Sequence, residues 1–451
     1  LTGLAPDGGL FVPQEIPALS SAALSSLRTC SYGELAHRII ALFVGDAIPD
    51  TDLKTLINAA YCPTVFSDPS ITPLTELSTG LYLQDLSTGP SLAFKDLAMQ
   101  FLGQVLDYQL QREDRYLTIL GASSGDTVSA AEEALRAKSR INVMMLTPKT
   151  GMSDFQKAQA GAILDPNIYN ISIPGPFDRC QDLVKAINAD PSFKSNYAIG
   201  AVNSINWGRI CAQIVYYIYG YFQVTSQLDQ VVDVVVPSGN FGNILAGYVA
   251  KKMGVPLGRL IVATNENNIL DRFFKTGIYE QQSVIVTSSP SMDISKASNI
   301  ERLFFDLMGR DAAQLNQAMA QFESTQTLDL SSHFETIHHQ IGFRSGLATH
   351  QDRIQTIQRV YQNSQHIIDP HTAAGVHVAQ QYHEDTSIPM ICMETAKPTK
   401  FEATIQEALS FVPERPDQYK GLEAQKQRFF DLPDDEEAIK TFIADHVSIR
   451  P

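Results

Sequence analysis

The chain has 451 residues, 44% of them hydrophobic and 18% charged, with a formal net charge of −15. That length allows two or three domains with cores of their own, and the acidic balance argues against a nucleic-acid surface or binding to anionic membranes. No apolar run approaches the roughly 20 residues that span a bilayer.

No signal peptide is read at the start, which opens on Leu1, and a cytoplasmic location is expected. The five cysteines (Cys30, Cys62, Cys180, Cys211, Cys392) are scattered and lack a Cys-x-x-Cys pair. That spacing suits reduced thiols, not a disulfide frame or a zinc site.

In chain order, residues 1–75 read as a Gly/Pro-rich opening followed by helices, with amphipathic patterns over 32–44 and 51–60. From Leu81 short apolar strands alternate with helices, the pattern of an α/β fold with a parallel sheet. Strands are expected at 116–120, 141–146, 168–173, 231–236, 260–264 and 390–393. Residues 300–365 read as helical, with a polar surface connection near 324–332. The acidic run Asp434-Asp435-Glu436-Glu437 after Pro433 reads as the first turn of a helix, favoured there by the macrodipole. There is no internal repeat and no low-complexity segment.

Three loops carry possible chemistry. Lys95 lies where the turn Gly89-Pro90-Ser91-Leu92 leads into a helical run. The loop Gly121-Ala122-Ser123-Ser124-Gly125-Asp126-Thr127 follows a strand and opens a helix. A third, Ser238-Gly239-Asn240-Phe241-Gly242-Asn243, follows the strand at 231–236. Taken singly, Lys95 is an ordinary solvated lysine and each loop an ordinary capped turn. The third loop is not the Gly-x-Gly-x-x-Gly of dinucleotide folds. All three, however, open consecutive α/β units, and open α/β sheets bind ligands at the carboxyl ends of their strands. A lysine able to form a Schiff base and a glycine-rich helix start able to hold a phosphate are what pyridoxal 5'-phosphate (PLP) needs. His333, His338 and His339 cluster, but His333 and His338 are five residues apart and share no helical face; no metal is expected.

With these motifs the chain resembles the threonine synthases, PLP enzymes of the tryptophan-synthase-β fold type (fold type II). The resemblance runs from residues 3–13 through 92–96, 124–127, 203–207, 238–243, 263–267, 289–294 and 369–372 to 395–398. It implies two open α/β domains behind an N-terminal helical region at 1–75. The larger, PLP-binding domain would comprise 76–110 and 206–451, with the helical insertion, and the smaller 111–205. It also implies that Lys95 carries the cofactor and is catalytic. Ser238, Gly239, Asn240, Phe241, Gly242 and Asn243 would cradle its phosphate, and Thr395 would face the pyridine nitrogen. Ser123, Ser124, Asp126, Thr127, Asn203, Ser204 and Asn206 would meet a small amino-acid substrate. The enzyme would be a monomer or homodimer.

The chain departs from the family pattern at Thr88, Val128, Ala158 and Lys397, on segments expected to border the substrate. Loss of an imidazole and a guanidinium there removes groups suited to a phosphate leaving group. Lys157 and Lys397 are the candidate replacements and are counted as substrate-binding. The leading expectation is elimination of phosphate from O-phospho-L-homoserine and addition of water at Cβ to give L-threonine. A diverged relative would instead release 2-oxobutyrate and ammonia, or replace a group on another amino acid. A non-catalytic PLP-fold binding protein is the third reading, disfavoured by the retained Lys95 and intact 238–243 loop.

Overall fold

The structure, a computed structural model, describes residues 4–5, 7–122, 126–149, 152–201 and 204–447. Three helices, Ser21–Leu27, Tyr32–Val44 and Asp50–Ala60, follow the opening segment. The second is started by a capping box between Ser31 and Glu34. Its apolar residues Tyr32, Leu35, Ala36, Ile39 and Ile40 recur at helical spacing and are buried in the same core as the long helix Trp207–Val224.

The larger sheet has six strands in the order Leu74–Ser78, Leu81–Asp85, Met390–Glu394, Val232–Pro237, Leu257–Thr264, Phe343–Leu347. Only the first pair is antiparallel. Val232–Pro237 is buried at every position, as a continuous apolar run covered on both faces should be. The smaller sheet is wholly parallel, in the order Phe430–Asp431, Ile168–Ile173, Ile141–Pro148, Leu117–Ala122, Ile199–Gly200.

All six expected strands form, within a few residues of their expected ends. Two expectations need correction. Within 300–365, residues Thr327–Asp329 and Phe343–Leu347 are strands, the latter closing one edge of the larger sheet. So short a strand has no readable period; it is fixed from outside, by Phe343 stacking on Phe274 and packing on Phe241 and Tyr248. The chain also returns at Phe430–Asp431 to the smaller sheet, so its last part does not stay with the larger one. The acidic run does open a helix, Glu436–His446, capped by Asp435.

The helix Lys95–Arg112 bears Lys95 at its first turn and packs against the helix Asp126–Leu135 of the smaller sheet. Gly103 makes that approach possible, because a Cβ there would stand 2.4 Å from the Ala134 carbonyl oxygen. Helix propensity alone would have Gly103→Ala stabilise by about 1 kcal/mol. We expect the reverse, a loss of ~1–3 kcal/mol from overpacking, read as a lower urea midpoint.

Candidate active site

The site lies at the carboxyl ends of the strands Met390–Glu394 and Val232–Pro237, which are parallel neighbours. Lys95 is delivered there by a tight turn. Leu92 sits in the left-handed region at φ 58°. The Asp96 carboxylate accepts from the Ser91 N–H at 2.8 Å, and a Cβ on Gly89 would meet that carboxylate at 2.6 Å. Burial raises Asp96 to about 7 despite that hydrogen bond. Segment 92–94 is stitched to the end of the neighbouring strand: Phe94 N–H donates to the Thr395 carbonyl at 2.9 Å and Lys397 N–H to the Leu92 carbonyl at 3.0 Å.

Lys95 Nζ stands 3.5 Å from Asp126 Oδ2, on the first turn of the facing helix. Burial lowers the proton affinity of Lys95; Asp126 opposes this, and the charges of Lys400 and Arg209 add to it. Asp126 is the hub of the site. It accepts from Gln156 Nε2 at 3.3 Å and Ser291 Oγ at 3.2 Å, and pairs with Lys400 Nζ at 3.0 Å. Burial pushes its carboxyl up, but Lys400, Lys95 and His371 outweigh that and hold it well below the usual carboxylate range.

A ring of hydrogen bonds runs from Asp126 back to the Lys95 turn. Ser291 N–H donates to His371 Nε2 at 3.1 Å, and His371 Nδ1 donates to Asp369 at 2.7 Å. Thr372 Oγ1 donates to Asp369 and accepts from the Thr395 N–H at 3.2 Å. Asp369 itself caps the helix Pro370–Tyr382. The ring therefore fixes Thr395, Ser291 and Asp126 relative to one another and to Lys95.

The glycine-rich loop meets the same ring. Phe241 takes a left-handed φ of 64° and is buried on Phe274, which turns the chain into the helix Gly242–Lys252. A Cβ on Gly239 would lie 2.7 Å from the Ser291 carbonyl oxygen, so only glycine fits. Asn240 is pinned by Asn299, whose N–H and Nδ2 both donate to its carbonyl at 3.1 Å. Ser238 Oγ is buried with no hydrogen-bond partner among the described residues. An orphaned hydroxyl beside a helix N-terminus fits a phosphate, and a half-buried lysine of lowered proton affinity fits an aldehyde; these residues suit PLP.

Other expected site residues fare differently. Ser123, Ser124 and Asn203 lie outside the described residues. Thr127 is half-buried on the first turn beside Asp126. Ser204 Oγ lies 3.2 Å from Ser298 Oγ. Asn206 caps the helix Trp207–Val224 by accepting from the Gly208 N–H at 2.8 Å. Asn243 points Oδ1 into the core, where it accepts from Tyr216 at 2.6 Å and Tyr217 at 2.7 Å. Its buried Nδ2, like Ser238 Oγ, has no hydrogen-bond partner among the described residues and is a donor still open to a phosphate. Lys157 is a correction: it is exposed, 5.6 Å from the Phe429 ring centroid, while its neighbour Gln156 faces Asp126. Lys397 is another, since its charge is taken by Asp85 at 2.5 Å. Nor do the other departures present new chemistry. Thr88 Oγ1 donates to the Ile71 carbonyl, Val128 is core, and Ala158 packs with Leu92, Phe155, Tyr419 and Leu422.

Two cations escaped sequence reasoning. Lys400 is 1% exposed and Arg209 4% exposed. Among the described residues no carboxylate pairs with the Arg209 guanidinium, and its Nε has no hydrogen-bond partner. Burial lowers Arg209 to about 10. The available signal was an arginine within the otherwise apolar helix Trp207–Val224; for Lys400 there was none.

Comparison with known proteins agrees along the chain. The family described as "Threonine synthase N terminus" matches residues 1–61, "Pyridoxal-phosphate dependent enzyme" matches 66–328, and "Threonine synthase, C-terminal" matches 372–443. The chain is 47% identical to threonine synthase of Corynebacterium glutamicum, over 99% of this chain and 95% of that one. It is 42% identical to threonine synthase of Saccharomyces cerevisiae, over 91% and 85%. Among solved structures it resembles PLP-bound threonine synthase from Brucella melitensis, with a TM-score of 0.95, 37% identity and coverage of 99% and 95%.

Proposed function

The chain belongs to the threonine synthase family, and from that premise we propose how its residues carry the reaction. It is a PLP-dependent lyase that eliminates phosphate from O-phospho-L-homoserine and adds water at Cβ to give L-threonine. The observation that carries the reading is the half-buried Lys95 held against the buried Asp126 beside a Ser238 hydroxyl that has no partner among the described residues.

Lys95 would hold the cofactor, with Ser238 and the backbone of Gly239, Asn240, Phe241 and Gly242 at its phosphate and Thr395 at its ring nitrogen. When bound, PLP supplies an aldehyde for the substrate amine and a ring that draws electrons from Cα. With its amine free, Lys95 would serve as the base that takes the Cα proton and moves a proton at Cβ. That role needs a neutral amine, which burial favours. Asp126 holds Lys95 in place. Arg209 is the cation we assign to the anionic leaving group, since a buried guanidinium without a counter-ion is completed by a phosphate. Burial of the site limits stray water near the reacting carbons.

Among the described residues no helix is long and apolar enough to cross a membrane. We place the enzyme in the cytoplasm, as a monomer or homodimer, a reading its five free cysteines support. The test is incubation of the PLP-loaded protein with O-phospho-L-homoserine, with products identified by NMR and released phosphate measured. Threonine in step with phosphate is expected. Phosphate release with 2-oxobutyrate would replace this reading with that of a phospho-lyase, and no turnover would end it.

A further inference from the structure

The mechanism needs one lysine at the site to give up its proton, yet two lysines share one carboxylate. Lys95 reaches Asp126 Oδ2 at 3.5 Å and Lys400 reaches Oδ1 at 3.0 Å. Their surroundings differ. Lys400 Nζ also donates to the Ser91 carbonyl at 2.6 Å and to Gln159 Oε1 at 3.2 Å. All three hydrogens of its ammonium thus have acceptors, drawn from the lysine turn and from the helices Asp126–Leu135 and Asp154–Gly161. Among the described residues Lys95 Nζ has one acceptor, at the limit of hydrogen-bond range, and the Phe94 ring 5.5 Å away.

We propose that Lys400 is a positioning residue that acts through Asp126: it is the fixed cation of the pair, so that Lys95 is the lysine able to become a neutral base. The inference rests on the threonine synthase reading. Titratable groups acting on Lys95 are Asp126, Lys400 and Arg209 from the helix Trp207–Val224; His371 faces Asp126. Two cations, Lys400 and Arg209, disfavour a cationic Lys95, and the carboxylate that favours it, Asp126, is already engaged by Lys400. Removing Lys400 acts twice in one direction: a like charge disappears, and Asp126 is released to pair more closely with Lys95. Both raise the proton affinity of the Lys95 nitrogen. Removing the Asp126 charge acts the other way.

The holoenzyme decides it through two readouts, the pH titration of its visible cofactor band and the acid limb of the kcat profile. In Lys400→Met both midpoints are expected to move to higher pH, with kcat at neutral pH down on the order of 10²-fold. Lys400→Arg, which keeps the charge, should restore the midpoints while altering KM. In Asp126→Asn the midpoints should move to lower pH. A role limited to packing would lower stability in these variants without moving the midpoints in opposite directions. Midpoints unmoved in Lys400→Met, or moving the same way in Lys400→Met and Asp126→Asn, overturn the proposal. Should Lys400→Met not fold, Lys400→Arg and Asp126→Asn decide alone: it stands if the first keeps the wild-type midpoints and the second lowers them, and falls otherwise. Wild-type enzyme that fails to make threonine would sink the family reading instead, whatever the variants do.

Discussion

Lys95→Ala is expected to abolish turnover, by on the order of 10⁴-fold or more, and with it the visible absorbance of the bound cofactor. The two losses should come together because, in the mechanism proposed above, one nitrogen would both hold the cofactor and move the protons. The fold should survive. Alanine is the best residue for the first turn of the helix Lys95–Arg112. Asp126 keeps Lys400, Gln156 and Ser291 as partners, so no carboxylate is stranded. A small primary amine added to Lys95→Ala should restore part of the activity, since the cavity left beside Asp126 admits one. A variant that kept both the visible band and threonine formation would remove Lys95 from the mechanism.

Arg209→Met should separate stability from function. Buried without a carboxylate partner among the described residues, the guanidinium is lowered by that burial to about 10 in the folded protein. A base that binds its proton less tightly when folded penalises folding while charged, here by about 3 kcal/mol at neutral pH. The penalty is full below pH 10 and fades as pH rises through that value. Methionine fills much of the same volume without charge, so the ligand-free variant should melt higher than wild type. Inorganic phosphate should raise the melting temperature of the wild type and do so less in the variant, by the linkage between ligand binding and stability. Meanwhile kcat/KM for O-phospho-L-homoserine should fall by about 10²–10³-fold, the range for truncating a buried partner of a charged group. Unchanged kcat/KM would show that the phosphate is held elsewhere.

Much of this protein was legible along the chain. The runs at 168–173 and 231–236 are strands because they are apolar and bounded by turn residues. Lys95 opens a helix because Gly89 and Pro90 set the turn before it. Ser238–Asn243 reads as a loop at a helix start because Ser, Gly and Asn follow an apolar strand, although Phe241 and not a glycine takes the left-handed turn. These are local properties, decided by residues within a few positions of one another.

What the chain could not disclose depends on contacts distant in sequence. Lys157 and Lys397 read as candidate phosphate ligands, but one lies outward by Phe429 and the other is taken by Asp85, which is 312 residues away. Lys400 and Arg209 read as ordinary cations, yet both are buried, one fully partnered and the other without a carboxylate partner among the described residues. Sequence by itself determined the fold class and the loops that precede the helices at Lys95 and Gly242, because backbone preference and apolar periodicity act locally. Only the tertiary structure decided which charges serve the site. A side chain's protonation and its need for a counter-ion follow from burial and from neighbours brought together by the two sheets.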